Sequence, residues 1–271
     1  MSTEPPTAAS LPLLDRVAIV TGSSRGIGRG IALHLASLGA RLVINYTSNP
    51  THANSLVSLI ESLSTHSLPL PTSSYPRAVA IQADVSDPAQ VTALFDAAQS
   101  TFKSQAHILV TCAGISDGSC PTIAATSVAD FDRTFAVNSR GTFLCLQAAA
   151  NRLVRGGGGR IITVSSSLVG SLNPGYGAYA ASKAAVEAMT RILAKELRGT
   201  RITANGIAPG PIATDMLFEG RTEETVKAMA AESPMERIGE TRDVAPVVAF
   251  LAGDESEWVN GQIIRVNGGY V

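Results

Sequence analysis

Charge is scarce in this chain and its signs cancel. Only 16% of residues are charged, and 21 Lys and Arg against 22 Asp and Glu leave a formal net charge of −1. That balance gives no field to draw nucleic acid or an anionic membrane surface, so neither is expected as a partner. Cysteine is almost missing. Cys112, Cys120 and Cys145 are an odd number without metal-type pairing, which argues against a disulfide framework and suits reduced thiols. The four histidines (His34, His52, His66 and His107) lie scattered without ligand spacing, so no metal site is expected. No apolar run approaches the length of a bilayer span. Met1 to Ser10 contains no Lys, no Arg and no apolar block, which reads as a short disordered tail over residues 1–13 rather than a targeting signal. A cytoplasmic location follows as the expectation.

Apolar residues are plentiful, at 45%, and they come in alternating patterns. Short β-branched runs at Arg16–Val20, Arg41–Tyr46, Arg77–Gln82, His107–Val110, Arg160–Val164, Arg201–Ala208 and Gly261–Val266 read as buried parallel strands. Segments of helical spacing lie between them: Arg29–Leu38, a weaker His52–Leu63, Ser86–Phe102, a long Phe131–Val154, Ala180–Leu197 and Val244–Leu251. Asp215–Glu240 is helical and charged, and residues 210–240 suit a lid over a site. The segment Ser64–Pro76, with three prolines, reads as an exposed loop. The strand–helix alternation continues without a break in composition. The expected fold is therefore α/β: a Rossmann-type, doubly wound, mostly parallel sheet with helices on both faces, one domain over 14–271.

The first strand runs straight into Thr21-Gly22-Ser23-Ser24-Arg25-Gly26-Ile27-Gly28 and then a helix. Strand, glycine turn and helix N-terminus together suit a dinucleotide pyrophosphate: glycines admit the backbone closely and free N–H groups attract the charge. An NAD site normally has an acidic residue near the end of the second strand. Here Asn45, Tyr46, Thr47 and Ser48 stand there without a carboxylate, while Arg25 in the turn could meet a 2′-phosphate. The expected cofactor is NADP (NADPH); the lesser alternative for Arg25 is a solvated surface charge. Asp84, followed by Val85, ends the third strand, where ligands bind in open α/β sheets. Asn138 stands inside a helical segment that its side chain does not favour. Tyr179 and Lys183, four apart at the start of a helix, emerge on one side. A fixed cation beside a phenol lowers its pKa and makes the pair useful for moving a proton.

These motifs stand in an order that resembles the short-chain dehydrogenases/reductases: Thr21-Gly22-x-x-x-Gly26-x-Gly28, Asp84-Val85, Ala113-Gly114, Asn138, Ser165-Ser166-Ser167, Tyr179-x-x-x-Lys183 and Pro209-Gly210-x-Ile212-x-Thr214. The resemblance covers residues 14–271 and is nearest to plant NADPH-dependent aldehyde reductases. Fungal naphthol and versicolorin reductases come next, and 3-oxoacyl carrier-protein reductases are more distant. It implies that Tyr179 gives a proton to a carbonyl oxygen as the nicotinamide delivers hydride. Lys183 would lower the Tyr179 pKa and hold the nicotinamide ribose, and Asn138 would bend its helix and hold a water linking Lys183 to solvent. A serine would donate to the carbonyl oxygen. Counting from Gly170 gives Ser167, the preferred choice, and counting from Tyr179 gives Ser166. The cofactor set implied is Gly22, Ser24, Arg25, Gly26, Ile27, Gly28, Asn45, Tyr46, Ser48, Asp84, Val85, Ala113, Gly114, Tyr179, Lys183, Pro209, Gly210, Ile212 and Thr214. Thr111 and Cys112 depart from the usual Asn-Asn before Ala-Gly, which puts the local hydrogen bonding there in question.

The leading expectation is an NADPH-dependent reductase of a small aldehyde or ketone, working as a homodimer or homotetramer. A 3-oxoacyl carrier-protein reductase would need a basic entrance that the charge does not show. A non-catalytic NADP-binding redox sensor would need only the glycine turn, not Tyr179, Lys183, Asn138 and a serine.

Overall fold

The computed structural model describes residues 11–66 and 75–271. Most of the expected N-terminal tail and of the Ser64–Pro76 loop lies outside the described residues. The elements in order are β1 (Val17–Thr21), α1 (Gly26–Ser37), β2 (Arg41–Tyr46), α2 (Pro50–His66), β3 (Ala78–Gln82), α3 (Pro88–Phe102) and β4 (Ile108–Thr111). Then come a 3-10 turn (Ile123–Ala125), α4 (Val128–Phe135), a π-helical turn (Ala136–Gly141), α5 (Thr142–Arg152), β5 (Arg160–Val164), α6 (Leu168–Ser171) and α7 (Gly177–Glu196). The chain closes with β6 (Thr203–Pro209), α8 (Asp215–Phe218), α9 (Glu223–Ala231), α10 (Thr241–Ala252) and β7 (Ile263–Val266).

The seven strands form one sheet in the order β3-β2-β1-β4-β5-β6-β7, every pair parallel. Successive side chains of a strand point to opposite faces, and the core divides accordingly. Ala18, Val20, Leu42, Ile44, Ile108 and Val110 face α1, α2 and α10. Val17, Ile19, Val43, Leu109, Ile161 and Ala204 face α3, α5 and α7. Both faces of the sheet are covered, which is why its strands read as continuous apolar runs. After β3 the chain crosses back to lay β4 beside β1, so the strand order reverses between them and opens a crevice at their C-terminal ends.

Two expectations for the helices are corrected. The Phe131–Val154 segment is not one helix: α4 and α5 are separated by the π-helical turn carrying Asn138. Residues 215–240 hold only the short α8 and α9, because Gly220 adopts φ 71° between them and Ser233-Pro234 follows α9. Arg160, read in the sequence simply as the start of a strand, is fully buried. It donates from Nε to the Gly253 carbonyl at 3.1 Å, from Nη1 to those of Gly157 and Gly159 at 2.9 Å each, and from Nη2 to Asp254 at 3.1 Å. Carbonyls facing inward at the lower edge of the sheet are thereby satisfied, which a buried backbone requires.

Candidate active site

The crevice begins at the turn between β1 and α1. Gly22 has φ 61°, and a Cβ there would stand 2.7 Å from Ala113 Cα on the neighbouring strand's extension. A Cβ on Gly28 would stand 2.6 Å from the Gly22 carbonyl oxygen. Only glycine permits the turn to fold this tightly back on its helix. Arg25, at the N-cap of α1, is extended and makes no side-chain capping bond, so the first N–H groups of the 12-residue helix face outward without a side-chain acceptor. The Arg25 side chain is exposed and has no partner among the described residues. Ser24 and Ile27 lie half-buried in the same turn. Thr214 closes over the turn from the far side, its Cγ2 3.4 Å from where a Gly26 Cβ would be. It belongs to the loop after β6 that holds Gly210 and the buried Ile212, and Gly210 N donates to Val266 O at 3.0 Å. A tight glycine cradle, open helix N–H groups and a free arginine fit the pyrophosphate and 2′-phosphate of NADP.

Asn45 is placed differently from expectation. It is 1% exposed, accepts from Gly22 N at 3.0 Å and donates to the Ala83 carbonyl at 3.0 Å. Its amide is consumed in clamping the glycine turn to β2 and β3, so it positions the cradle and does not face a ribose. Tyr46, half-buried, and Ser48, exposed, remain on the rim at the end of β2. Asp84 accepts from both the N–H and the hydroxyl of Ser86 at 2.8 Å, which fixes its carboxylate at the end of β3. Val85 packs inward against Gly141, where a Cβ would stand 2.7 Å from its Cγ2. The unusual Thr111-Cys112 pair leaves the backbone in order. The Thr21 hydroxyl accepts from the N–H groups of Cys112 and Ala113 at 3.1 Å each and ties β1 to the end of β4. Burial pushes the Cys112 thiol up to about 11.

On the other wall, the π-helical turn brings Asn138 inward, fully buried. It accepts from Ile115 N at 2.8 Å and donates to Ile115 O at 2.9 Å and to the Ser182 hydroxyl at 3.0 Å. Ser182 in turn donates to the Tyr179 carbonyl at 2.7 Å. The bonds link three segments distant in sequence. Nothing in the sequence around Ser182 signals this role, because its partner lies 44 residues away. Gly114 passes directly alongside: a Cβ there would lie 3.3 Å from Asn138 Oδ1 and 3.4 Å from Lys183 Nζ.

Lys183 is 3% exposed, and its Nζ donates to the Val164 carbonyl at 2.8 Å. Its ammonium lies 5.9 Å from the centre of the Tyr179 ring. Burial lowers the Lys183 pKa to about 8. Burial also pushes the Tyr179 phenol up to about 12, with a Ser166 hydrogen bond acting in the opposite sense. Tyr179 is raised where a lowering by Lys183 was expected: burial is the largest cause, and the Lys183 ammonium is engaged by the Val164 carbonyl. At neutral pH the phenol keeps its proton, as a donor must.

The serine choice is also corrected. Ser167 is turned away from the crevice, donating to the Ala208 carbonyl and accepting from Asn267 Nδ2, both at 3.0 Å. Ser166 is the serine that acts on the Tyr179 phenol, opposing its upward shift, and its hydroxyl accepts from Leu168 N at 3.2 Å. Among the described residues, no cluster of His, Cys, Asp or Glu could hold a metal ion, and no helix is long and apolar enough to cross a membrane.

A proton donor and a dinucleotide cradle that open on the same crevice are what a nicotinamide-dependent oxidoreductase requires, and the fold defines that class. A family model described as enoyl-(acyl carrier protein) reductase matches residues 22–271. The NADPH-dependent aldehyde reductase-like protein, chloroplastic, of Arabidopsis thaliana is 63% identical, over 96% of each chain. NADPH-dependent aldehyde reductase 2, chloroplastic, of the same plant is 54% identical, over 96% of this chain and 95% of that one. A short chain dehydrogenase from Burkholderia cenocepacia, solved in complex with NADP, superposes with a TM-score of 0.85 at 35% identity, over 96% of this chain and 99% of that one. The chain belongs to the short-chain dehydrogenase/reductase family. The expectation of a cytoplasmic location is overturned by the same comparisons, since both Arabidopsis relatives are named chloroplastic. A tail judged only by its lack of charge and apolar residues did not reveal this.

Two outcomes follow from this geometry. Ser166→Ala should lower kcat by about 10²-fold, the usual loss for a donor aimed at a developing oxyanion, while Ser167→Ala should act mainly on stability. Steady-state kinetics beside urea unfolding separates the two, and the reverse pattern would restore Ser167. The second outcome concerns pH. A lysine whose folded pKa is about 8, against an ordinary 10.5, binds fewer protons when folded, so stability rises with pH across that window. Tyr179, raised from 10 to about 12, gives the opposite slope above pH 10, where stability is lost. Lys183→Met should flatten the rise between pH 8 and 10 in denaturant titrations, and a rise of unchanged size would assign it to other groups.

Proposed function

We propose that the protein reduces the carbonyl of a small aldehyde or ketone to the alcohol with NADPH, with Tyr179 as proton donor. The observation that carries this reading is geometric: the buried Lys183 ammonium lies 5.9 Å from the centre of the Tyr179 ring, on the wall where Gly114 borders the dinucleotide crevice. The bound nicotinamide supplies hydride to the carbonyl carbon. Ser166 and Tyr179 hold the carbonyl oxygen, and Tyr179 Oη gives up its proton as charge develops there. Lys183, near its own pKa and in contact with Val164, is placed to stabilise the phenolate that remains. Asn138 and Ser182 fix the start of α7, and so the direction of the phenol. Arg25, with Tyr46 and Ser48 on the rim, holds the ribose phosphate; Gly22, Ser24, Gly26, Ile27 and Gly28 hold the pyrophosphate. Asp84, Val85, Ala113 and Gly114 line the adenosine side, and Pro209, Gly210, Ile212 and Thr214 the nicotinamide side.

The names of the two Arabidopsis relatives support the same cofactor and substrate class, and extend the proposal to a plastid location. Residues 210–240 act as the lid, supported by the position of Thr214 over the glycine turn. A homodimer or homotetramer accounts for the exposed Phe131 and Phe143 and for Trp258, which is 99% exposed in the single chain.

NADPH oxidation over a panel of aldehydes, ketones and quinones tests the reading. Turnover should be present in the wild type, fall 10²- to 10⁴-fold in Tyr179→Phe, and be slower with NADH. Tight NADPH binding with equal background rates in both proteins would leave a cofactor-binding protein instead. Light scattering should give a mass of two or four chains, and a monomeric mass would remove the oligomer.

A further inference from the structure

Between α8 and α9 the chain passes over the loop that follows β4. A Cβ on Gly118 would stand 3.2 Å from the Glu219 carbonyl oxygen. Arg221, half-buried, reaches inward from this segment. Its Nη2 donates to the Tyr176 hydroxyl at 2.9 Å and lies 3.9 Å from Cys120 Sγ. Its Nη1 donates to the Met216 carbonyl at 3.2 Å and to that of Leu217. Every one of these partners is neutral. The ion pairs among the described residues do not include Arg221. Asp117 on the facing loop is already engaged by the N–H and hydroxyl of Ser119, and Glu219 is exposed.

A partly desolvated guanidinium without a counter-charge is costly, and an anion recovers that cost. Its position says which anion. Tyr176, which Arg221 touches, lines the same cavity as Tyr179, together with Asp117 and with Asp130, whose carboxylate is already engaged by Ser127 and paired with Arg133. Arg221 therefore stands behind Tyr176 at the edge of the cavity that holds Tyr179, and its Nε makes no hydrogen bond among the described residues. We propose that Arg221 is a specificity-determining residue that selects carbonyl substrates carrying a carboxylate, holding that group beside Tyr176 while the carbonyl lies at Tyr179. This rests on the reductase reading above and narrows its substrate class.

The test pairs 4-formylbenzoate with its methyl ester, an aldehyde of similar shape without the charge. Wild-type protein with NADPH should favour the anion by about tenfold in kcat/KM, chiefly through KM. Arg221→Gln should lose that preference while keeping turnover of the ester, and Arg221→Lys should keep part of it. Equal losses for both aldehydes in Arg221→Gln, or no preference in the wild type, would overturn the proposal and leave Arg221 as a tie between lid and loop. Calorimetric binding of both compounds to wild type and Arg221→Gln, each saturated with NADP⁺, reads the same preference without turnover. Absent turnover with a retained binding preference would count against the reductase reading alone; equal binding of both compounds would overturn the role of Arg221.

Discussion

The site depends on where one buried ammonium is held. Lys183 has left water, and the contact that keeps it in place is the carbonyl of Val164 at the end of β5. Val164 is the last residue of β5, so the end of the sheet itself provides the acceptor. The neighbours are then constrained. A side chain at Gly114 would crowd Asn138 and Lys183, whose Oδ1 and Nζ would lie 3.3 and 3.4 Å from its Cβ. Tyr179, one helical turn before Lys183, is brought to Ser166, two residues past the same strand end. The positions of Tyr179 and Ser166 are thus two consequences of one strand terminus meeting one helix.

The cradle for the dinucleotide is organised by polar clamps of a different kind. Thr21 ties β1 to the backbone after β4, and Asn45 ties the glycine turn to β2 and β3. Neither side chain faces the crevice. They replace the missing ladder bonds where the strands splay at the switch point, and Arg25 in the turn stays exposed. The second strand lends the site stiffness and lends it no carboxylate, which fits a cofactor with an extra phosphate better than one without.

How much of this could be read beforehand varied with the range of the interaction. The seven strands and their order of chemistry were legible, because buried parallel strands announce themselves as apolar runs and the glycine turn is local. Tyr179 and Lys183 were legible for the same reason, being one turn apart. The serine was not: Ser165, Ser166 and Ser167 are chemically identical, and the choice turns on Asn267, 100 residues beyond, which takes Ser167 out of the crevice. Asn45 was given a ligand's role, since a sequence shows that a carboxylate is missing and not that its substitute is already bonded to Gly22 and Ala83. The sense of the Tyr179 shift was missed because burial, which dominates it, is a property of the whole fold. The cytoplasmic reading failed on a segment whose composition carried no signal.

The π-helical turn has a consequence for the geometry of its whole segment. A π turn holds one residue more than an α turn, and each residue rotates a helix by about 100°. The faces of α4 and α5 are therefore out of phase with one another, although the two helices are joined without a loop. One face before the turn can serve the crevice wall, and a different face after it can serve the core beside α3 and α7, where Cys145, Leu146 and Ala149 are buried. Asn138 sits where the phase changes. The segment behaves like a shaft with a fixed twist at its middle: the extra residue lets a single continuous rod address two unrelated surfaces, and its length is set by that twist as firmly as by its ends.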